Sequence, residues 1–319
     1  MRDPLVNIII PTFRRPALLT RAIASVRSQT FTRWEILVVD DNDPGTSARE
    51  ETRVLMQRYA DEPRIRYLEH ERNQGLPAAR NTAIAAAAGP LVAFLDDDDE
   101  WLPEKLERQV AVLLERDDVA LVYTGRRVVD GDGHLIRIMR ADPLGLDRDA
   151  LLEQNHVHTP SSVVCRRSAL VEAGAFDERL PSLEDWDLYL RLSADHAFAF
   201  VDEQLTVYYH HDGGRMMEDY ASLAAAYDIL HDKHLHRFAP RRRAYAAFLR
   251  HHARVLHRAG DRRRARSTAW RSLRANALDR GALKLLLQIE MGEARVETLR
   301  RGTARLRGVV QRSSTPSRS

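Results

Sequence analysis

The segment Leu91–Trp101 constrains the fold of this 319-residue chain more than any other. Residues 91–95 are all apolar and predict a buried strand. Four aspartates, Asp96 to Asp99, follow this strand directly. Four adjacent carboxylates repel one another and are costly beside a core, so a cation should gather there. A helix N-cap before Pro103 is the structural alternative, but it needs one aspartate and not four. Oxygen ligands suit Mg²⁺ or Mn²⁺, with substrate phosphates completing the coordination.

Strands and helices alternate regularly in the first hundred residues, which predicts a parallel sheet with right-handed crossovers. The strand over 35–39 also ends in a pair of acids, Asp40 and Asp41. Because the carboxyl ends of parallel strands meet at one edge, these acids and the acidic run Asp96–Asp99 should converge. The predicted strands of this half are 5–10, 35–39, 64–69 and 91–95, and the helices follow Pro16, run to about residue 60, and cover 76–88.

The pattern after Pro103 is less regular and predicts a mixture of antiparallel and short elements. Asp130–Gly133 has the composition of a hairpin turn. The predicted elements are a helix to about 116, strands over 119–129, 134–139, 161–165, 198–201 and 205–209, and a helix beginning near Glu184 and Asp185.

Charge divides the chain into two parts. Residues 1–211 carry 25 basic and 36 acidic side chains, whereas residues 212–319 carry 24 basic and 10 acidic ones. This reversal predicts a domain boundary near Asp212–Gly214. The second part is rich in Ala, Leu and Arg and predicts an all-helical region, including a helix with one apolar face over Val296–Val310.

The basic region has three possible explanations, in this order of preference. It packs on acidic surfaces or is simply solvated; it contacts an anionic membrane; or it binds nucleic acid, which we do not expect because no reader motif accompanies the charge. The single cysteine, Cys165, fits a reducing compartment, and no apolar stretch reaches the roughly 18 residues of a spanning helix. We therefore expect a cytoplasmic protein. If the basic region contacts an anionic membrane, the protein would also be peripheral at the inner face of that membrane.

Six residue runs resemble those of the family 2 glycosyltransferases, inverting enzymes with the GT-A fold. The resemblance covers about residues 1–211 and implies a GT-A type α/β fold, a Rossmann-like and mostly parallel sheet flanked by helices, followed here by a C-terminal all-α extension. The runs are IIIPTFRR (8–15), VVDD (38–41), GLPAARN (75–81), FLDDDDEWLP (94–103), GAFDE (174–178) and EDWDLYLRL (184–192).

The resemblance also implies which residues bind a nucleotide-sugar donor. Phe13 would lie against the base, and Asp41 would accept a hydrogen bond from the base edge, which favours uracil or thymine. Arg80 would stand near the phosphates, where a guanidinium fork is suited to bind. The implied donor-binding residues are Pro11, Thr12, Phe13, Arg15, Asp41, Arg80, Asp96 and Asp97.

The metal-binding carboxylate of the family falls on Asp98, and Asp96 or Asp97 would hold the ribose or a metal-bound water. His211 matches a position where many relatives carry a metal-contacting histidine, although His210 beside it is an alternative. The implied cofactor is Mg²⁺ or Mn²⁺, which stabilises charge on the departing diphosphate.

Asp185 matches the general base of the family, which takes the proton of the acceptor hydroxyl. Without the resemblance, a helix-capping role at Glu184 and Asp185 would be the simpler interpretation. His156 and His158 are guessed to line the acceptor side.

We therefore predict a metal-dependent inverting glycosyltransferase. A UDP-sugar is the leading donor, with dTDP- and GDP-sugars open, and the acceptor is a sugar, a lipid-linked hydroxyl or another hydroxyl. One alternative is a sugar-1-phosphate nucleotidyltransferase, which a Pro-Thr-Phe-Arg-Arg segment in place of a Gly-rich loop disfavours. The other is a catalytically silent nucleotide-sugar-binding module, which the joint presence of Asp41, Asp98 and Asp185 disfavours.

Overall fold

The structure, a computed structural model, describes residues 5–210 and 219–291. The chain separates into two compact units, residues 1–215 and 216–319. Two sequence-based predictions, the metal-contacting His211 and the helix over Val296–Val310, lie outside the described residues.

The first unit is built on one nine-stranded sheet, and its α/β architecture confirms the predicted fold class. The strands are β1 Val6–Thr12, β2 Trp34–Asp40, β3 Ile65–Glu69, β4 Leu91–Phe94, β5 Glu100–Trp101, β6 Val119–Val129, β7 Leu135–Met139, β8 Val163–Arg166 and β9 Ala197–Tyr209. Their order in the sheet is β3-β2-β1-β4-β8-β6-β9-β5, with β7 paired to β6.

Strands β1 to β4 pair in parallel, as their alternation with helices requires. Every residue of β1 is buried, which is the pattern of a parallel strand covered on both faces. Thr12 at the end of β1 is in register with Asp40 at the end of β2. The residues that follow β1, β2 and β4 therefore share one edge of the sheet.

Antiparallel pairings enter at β8, which lies between β4 and β6. The sequence predicts two short strands at 198–201 and 205–209, but the structure has one strand, β9, over Ala197–Tyr209. Strand β9 pairs in parallel with β6 along its whole length, and the register shifts around Gly125 absorb the polar residues between the two apolar runs. Pairing with a long neighbour thus maintains the strand where local composition predicted a turn.

The longer helices of the first unit begin where the sequence signals predict, whereas the two short helices over Arg148–Glu153 and Arg167–Glu172 were not predicted. Pro16 occupies the first turn of α1, and the Thr46 hydroxyl caps α2 by accepting from the backbone N–H of Arg49. These helices are α1 Pro16–Arg27, α2 Ser47–Gln57, α3 Leu76–Ala86, α4 Lys105–Glu115, α5 Arg148–Glu153, α6 Arg167–Glu172 and α7 Glu184–Asp195.

The second unit, as described, is helical: α8 Tyr220–Phe238, α9 Arg242–Arg258, α10 Arg262–Ala275 and α11 Arg280–Met291. Its core includes Phe238 and Phe248, whose ring centroids are 4.6 Å apart. An ion pair of 2.6 Å between Arg250 and Asp279 connects α9 to the start of α11. Within the described residues, no helix is both long enough and apolar enough to span a membrane.

Candidate active site

The four aspartates of the acidic run follow β4 and have four different environments. Asp96 accepts a 2.8 Å hydrogen bond from Arg80, and Asp97 accepts one of 2.7 Å from the hydroxyl of Thr12. Asp98 pairs with the guanidinium of Arg15, which also lies 3.8 Å from Asp97. The run and the end of β1 thus form one cluster at the sheet edge.

Asp99 differs from the other three aspartates. It is 1% exposed, and neither of its carboxylate oxygens makes a hydrogen bond of normal distance and angle to a described residue. The Ser161 hydroxyl and the Tyr209 backbone N–H lie close enough to lower its pKa, but they offset only part of the effect of burial. Burial, together with the charges of Asp98 and Asp96, raises the pKa of Asp99 well above its ordinary value. A buried carboxylate in this state is a group that a cation would stabilise.

The acidic run therefore fits a divalent cation on its own chemistry. Burial and the neighbouring Asp98 also raise the pKa of Asp97 to about 7, although the Thr12 hydrogen bond and Arg15 oppose that rise. Carboxylate oxygens are the ligands that Mg²⁺ and Mn²⁺ prefer. A second acidic group, Asp130 with Asp132 and His134, lies at the exposed turn between β6 and β7 and belongs to that hairpin.

Asp185 lies in the first turn of α7, where carboxylates are favoured by the helix dipole. Its Oδ1 accepts a 2.7 Å hydrogen bond from the backbone N–H of Trp186, and its Oδ2 accepts one of 3.0 Å from Nδ2 of Asn155. Burial, followed by the charge of Glu184, raises the pKa of Asp185 to about 7. Such a carboxyl can exchange a proton near neutral pH.

Arg80 connects the acidic run to the start of α7. Its two terminal nitrogens donate to Asp96 at 2.8 Å and to Glu184 at 2.6 Å, and the side chain is 1% exposed. The ring of Phe176 lies 5.2 Å from the guanidinium carbon. The charges of Arg80 and Asp96 both act on the neighbouring Asp185, so the carboxylate of Asp185 lies near the start of the acidic run.

Asp41 is held by the protein on both oxygens. Nδ1 of His70 lies 2.7 Å from Oδ1, which also accepts from the backbone N–H of Gln74 at 2.8 Å. Oδ2 accepts from the amide of Asn73 at 3.1 Å and from the backbone N–H of Gly75 at 2.8 Å. These four donors match the roughly four lone-pair sites of a carboxylate.

A cleft of about 320 Å³ opens beside the ends of β1 and β2. Phe13, which is 37% exposed, forms one wall, with the guanidinium of Arg14 stacked 4.7 Å from its ring centroid. This volume is at the lower end of the range of small-molecule pockets, and the aromatic wall suits a flat ring. The lining residues are Phe13, Arg14, Pro16, Asn42, Asp43, Thr46, Ser47, Ala48 and Glu51.

Three residues adjoining the predicted site have positive φ although they are not glycine: Arg14, His158 and Leu183, with φ of 59°, 71° and 62°. Each such conformation costs about 1–2 kcal/mol for an L-residue. Arg14 follows Phe13, and Leu183 precedes the acidic start of α7. Backbone strain of this kind often accompanies functional sites, because the surrounding structure must impose it.

The loop before the short helix Pro160–Ser162 contributes residues that sequence reasoning missed. Asn155 is locked by its own loop, since its Oδ1 accepts from the backbone N–H groups of Val157 and His158. Its Nδ2 donates to the carbonyl of His158 and to Oδ2 of Asp185, each at 3.0 Å. The only sequence signal for this loop was the pair of histidines next to Asn155. Nothing in the sequence indicated that Asn155 contacts α7.

The two guessed acceptor-side histidines have different surroundings. Nδ1 of His156 lies 2.7 Å from Oδ2 of Asp142. His158 is half-buried, and burial, with a contribution from Arg126, lowers its pKa to about 4. His158 is therefore neutral at pH 7.

Comparison with known proteins gives the same picture. The sequence model described as glycosyl transferase family 2 matches residues 7–174. The chain is 35% identical over 132 residues to the Escherichia coli UDP-Glc:alpha-D-GlcNAc-diphosphoundecaprenol beta-1,3-glucosyltransferase WfgD, a match that covers 41% of this chain and 49% of that protein. The chain thus spans about half the length of that relative.

Two solved structures share the fold. Staphylococcus aureus TarS 1–349 in complex with UDP-GlcNAc superposes with a TM-score of 0.59 at 17% identity, covering 90% of this chain and 92% of that one. The mannosyltransferase PcManGT of Pyrobaculum calidifontis, in complex with GDP-Man and Mn²⁺, superposes with a TM-score of 0.58 at 19% identity. That match covers 87% of this chain and 79% of the other.

The family model covers more than half of the chain, and its matched region contains β1 to β4, the acidic run and Arg80. The matching relative and the solved neighbours are named as glycosyltransferases or bind nucleotide-sugars. Neither the nucleotidyltransferase nor the silent binding module is favoured by these matches. The chain belongs to glycosyl transferase family 2 and is a glycosyltransferase.

Proposed function

We propose that the first unit transfers a sugar from a nucleotide-diphosphate sugar to an acceptor hydroxyl, with inversion, and that Asp185 is the general base. The observation that carries the proposal is the environment of Asp185, a carboxyl with a pKa of about 7 that Arg80 and Glu184 hold beside the acidic run. In our proposal residues 1–211 form the catalytic domain, and residues 212–319 form a basic helical region that packs or is solvated.

The donor would bind along the edge formed by β1, β2 and β4. Phe13, which lines the cleft, would supply an aromatic wall for the base. Pro11 and Thr12 are buried at the end of β1 and do not line the cleft, so they would support the donor from beneath. A UDP-sugar remains the leading choice, which the UDP-GlcNAc complex of TarS supports, while the GDP-Man complex of PcManGT keeps GDP-sugars open.

Asp41 would contact the base only by exchanging one of its present partners. The backbone N–H groups of Gln74 and Gly75 are fixed by the chain, whereas Asn73 donates from a side-chain amide. We expect the Asn73 amide to be the partner that yields to an imide N–H. Asp41 then has a second role, which is to hold the 73–75 loop against the pocket.

Asp98 would hold Mg²⁺ or Mn²⁺, with His211 as a second ligand and Asp96 and Asp97 at the ribose or a bound water. The bound ion would supply positive charge to the departing diphosphate. Arg15, which is half exposed and paired with Asp98 in this structure, is placed to bind donor phosphates.

In the proposed reaction, the acceptor oxygen attacks the anomeric carbon while Asp185 takes the hydroxyl proton. The bond from that carbon to the diphosphate oxygen breaks, and the diphosphate departs with the electron pair. Attack in line with the leaving group inverts the anomeric centre. The Asn155 hydrogen bond keeps the Asp185 carboxylate oriented for the proton.

The acceptor class that we favour is lipid-linked, because the matching part of WfgD belongs to an enzyme named for a diphosphoundecaprenol acceptor. Free sugars and other hydroxyls are the alternatives. Contact between the basic helices and an anionic membrane would suit a lipid-linked acceptor, and we rank it second to packing or solvation of those helices.

The test compares wild type with Asp185→Asn, using nucleotide-sugar binding and nucleotide release as separate measurements. A thermal-shift screen of UDP-, dTDP- and GDP-sugars with Mn²⁺ identifies the donor, since a ligand that binds the native state raises its apparent stability. Asp185→Asn should bind that donor as wild type does and lose about 10²–10⁴-fold in transfer.

The matched control is Asp195→Asn, at the exposed end of the same helix. It should transfer at the wild-type rate. Equal turnover by Asp185→Asn and wild type would refute the base assignment. Donor binding without any nucleotide release by wild type, across the acceptors tried, would favour the silent binding module.

A further inference from the structure

Arg126 on β6 is a half-buried arginine that makes no ion pair with any described residue. Its Nε lies 3.3 Å from the sulfur of Met139, which is only a weak acceptor. Its guanidinium carbon lies 5.2 Å from the ring centroid of Tyr208. The two terminal nitrogens make no hydrogen bond to the described residues and are accessible to solvent. The donors of this guanidinium are therefore available to a ligand.

Two other arginines of the first unit that are shielded from solvent are completed by acceptors of the protein. Arg80 donates to two carboxylates, and Arg191 donates to the carboxylate of Asp187 and to two backbone carbonyls. Burial lowers the pKa of Arg126 from its ordinary value, which is the direction expected for a cation that lacks such partners. An anion supplied by a ligand would offset the cost of burying this charge.

A second arginine, Arg137, lies on the same face of the β6–β7 ladder as Arg126. In that ladder Arg126 is paired with Met139, and Val128 is paired with Arg137. Because side chains alternate between the two faces of a sheet, Arg126 and Arg137 are diagonal neighbours, within reach of long side chains. After burial, the charge of Arg137 also contributes to lowering the pKa of Arg126. An anion bound by both guanidinium groups would relieve this repulsion.

The aspartates around this face do not pair with Arg126. The charges of Asp99 and Asp185 act on it without forming an ion pair. Both oxygens of Asp185 already accept hydrogen bonds, and those of Asp142 are occupied by a backbone N–H and by a histidine ring. The other aspartates of residues 126–149 lie in the hairpin turn, Asp130 and Asp132, or at the start of α5, Asp147 and Asp149.

Arg126 lies near the loop that orients the proposed base. Strand β6 continues beyond its pairing with β8 to reach Arg126, which places this residue beside the loop that precedes β8. In that loop Asn155 donates both to the carbonyl of His158 and to Asp185. After burial, the charge of Arg126 is the main cause that lowers the pKa of His158 to about 4. An anion bound by Arg126 would therefore lie beside a neutral histidine and close to Asp185.

The proposed donor site lies at a different part of the sheet. Strand β6 is separated from β1 by β4 and β8. Three spacings of about 4.8 Å put the backbones of β1 and β6 roughly 14 Å apart. Arg15, which we place at the donor phosphates, follows β1 directly. The order of the strands thus favours an acceptor group, and not a donor phosphate, as the ligand of Arg126.

We propose that Arg126, with Arg137 as a second cation, binds a phosphate group of the acceptor, whose attacked hydroxyl then lies at Asp185. This inference rests on the proposed function, because it names the acceptor class of the same site. A terminal phosphate offers three oxygens to two guanidinium groups, whereas a carboxylate offers two. A free sugar phosphate and a lipid-linked sugar diphosphate share this chemistry, and the experiment distinguishes them.

The first test is calorimetric titration of inorganic phosphate into the full-length protein. The protein is first saturated with Mg²⁺ and the nucleoside diphosphate of the donor found in the thermal-shift screen, so that the donor phosphate site is filled. The variant is Arg126→Gln, and the matched control is Arg127→Gln, the next residue of β6, which is exposed and points to the opposite face. The control should bind phosphate as wild type does, whereas Arg126→Gln should lose about tenfold or more in affinity.

A second variant, Arg126→Lys, keeps the charge but not the planar fork, so it should retain part of the phosphate affinity. Thermal unfolding of each variant establishes that it is folded.

The second test compares three forms of each candidate acceptor sugar: the methyl glycoside, the sugar 1-phosphate and the sugar diphosphate of a short alkyl chain. Wild type should use the phosphorylated forms with a kcat/KM about tenfold or more above that of the glycoside. Arg126→Gln should raise the KM for those forms and leave the KM for the donor unchanged. Preference for the alkyl diphosphate over the sugar 1-phosphate would identify a lipid-linked acceptor, and equal use of both would identify a free sugar phosphate.

Equal phosphate binding by wild type and Arg126→Gln, or none by wild type, would overturn the proposal. So would displacement of the nucleotide by phosphate or a higher donor KM in Arg126→Gln, because Arg126 would then bind the donor. If Asp185→Asn retains transfer while Arg126→Gln still loses phosphate binding, the base assignment fails and the phosphate site stands.

Discussion

Asp41 and Asp99 look alike in the sequence, since each ends a pair or run of aspartates after a buried strand, but their environments differ completely. Asp41 accepts from three residues of the 73–75 loop and lies against His70. Asp99 is also buried, but the Ser161 hydroxyl and the Tyr209 backbone approach it without forming a hydrogen bond of normal geometry. One carboxylate organises a loop, and the other is poorly partnered by the chain.

The difference distinguishes carboxylates whose hydrogen-bond donors come from the protein from carboxylates that need a bound cation or a proton. A buried carboxylate surrounded by donors stabilises the native state, whereas an unpartnered one costs free energy until it is protonated or a cation arrives. Asp96 and Glu184 are an intermediate case, because the buried guanidinium of Arg80 pairs with both of them.

The largest expected effect follows from removing the buried guanidinium of Arg80. Arg80→Ala would leave Asp96 and Glu184 without their partner, and breaking a buried ion pair costs about 3–5 kcal/mol. We expect the free energy of unfolding in urea to fall by that amount. Arg179→Ala, which removes an exposed pair with Asp177, should change it by less than about 1 kcal/mol. Similar losses in the two variants would mean that the Arg80 bridge is not a buried pair.

Substitution of the two contrasted acids should change stability in opposite directions. Asp41→Ala would leave the backbone N–H groups of Gln74 and Gly75 without an acceptor, at a cost of about 3 kcal/mol. Asp99→Asn removes an uncompensated charge, and in metal-free protein it should raise the free energy of unfolding by about 1 kcal/mol. Urea denaturation in the presence of a chelator measures both. Destabilisation by Asp99→Asn would show that Asp99 is as well partnered as Asp41.

Addition of Mn²⁺ should reduce the contrast between the two acids. A cation bound only by the native state stabilises it by about 2.7 kcal/mol at a hundredfold excess over Kd, so the melting temperature should rise. The rise should be reversed by a chelator and absent in Asp98→Asn. The matched control is Asp43→Asn, whose carboxylate accepts from the backbone N–H of Asn73 instead. An equal Mn²⁺ shift in Asp98→Asn would place the ion elsewhere.

The smallest effect concerns the hydrogen bond from Asn155 to Asp185. The pKa of Asp185 is raised to about 7, chiefly by burial and then by Glu184, so transfer should increase with pH through that value as the active carboxylate forms. Asn155→Ala removes a donor to the charged form and should raise that pKa further, by about one unit. At pH 7 more of the base is then protonated, so kcat/KM should fall several-fold and recover at high pH.

The conservative variant Asn155→Asp tests whether the residue acts through Asp185. It retains Oδ1 for the backbone of residues 157 and 158 but adds a negative charge beside the base, so the acid limb of the pH profile should move upward more than in Asn155→Ala. The charged groups that also act on Asp185 include Glu184, Arg80, Asp96 and Arg126, and all four are unchanged in these variants. If the acid limb of the pH profile does not shift in either variant, Asn155 only stabilises its own loop and does not act through Asp185.

Much of the fold could be predicted because its elements are locally determined. The runs 5–10 and 35–39 form β1 and β2 almost as expected, since consecutive apolar residues leave little choice but a buried strand. The predicted boundary within β9 was wrong, because pairing with β6 decides that region. The two-residue strand β5 was not predicted at all, since it exists through its pairing with β9.

The sequence by itself determined where the acids stand. Each apolar strand carries its aspartates to the same edge of a parallel sheet, and that placement needs only local composition and the rule of strand direction. Only the tertiary structure decided which of those acids has partners. Apart from the backbone N–H of Trp186, which neighbours Asp185, the donors that the structure gives Asp41, Asp96 and Asp185 come from residues distant from their acceptors in the chain, among them residues 73–75, Arg80 and Asn155. Hydrogen bonds of this kind depend on distances of about 3 Å, which residue order does not specify and the packing of distant segments does.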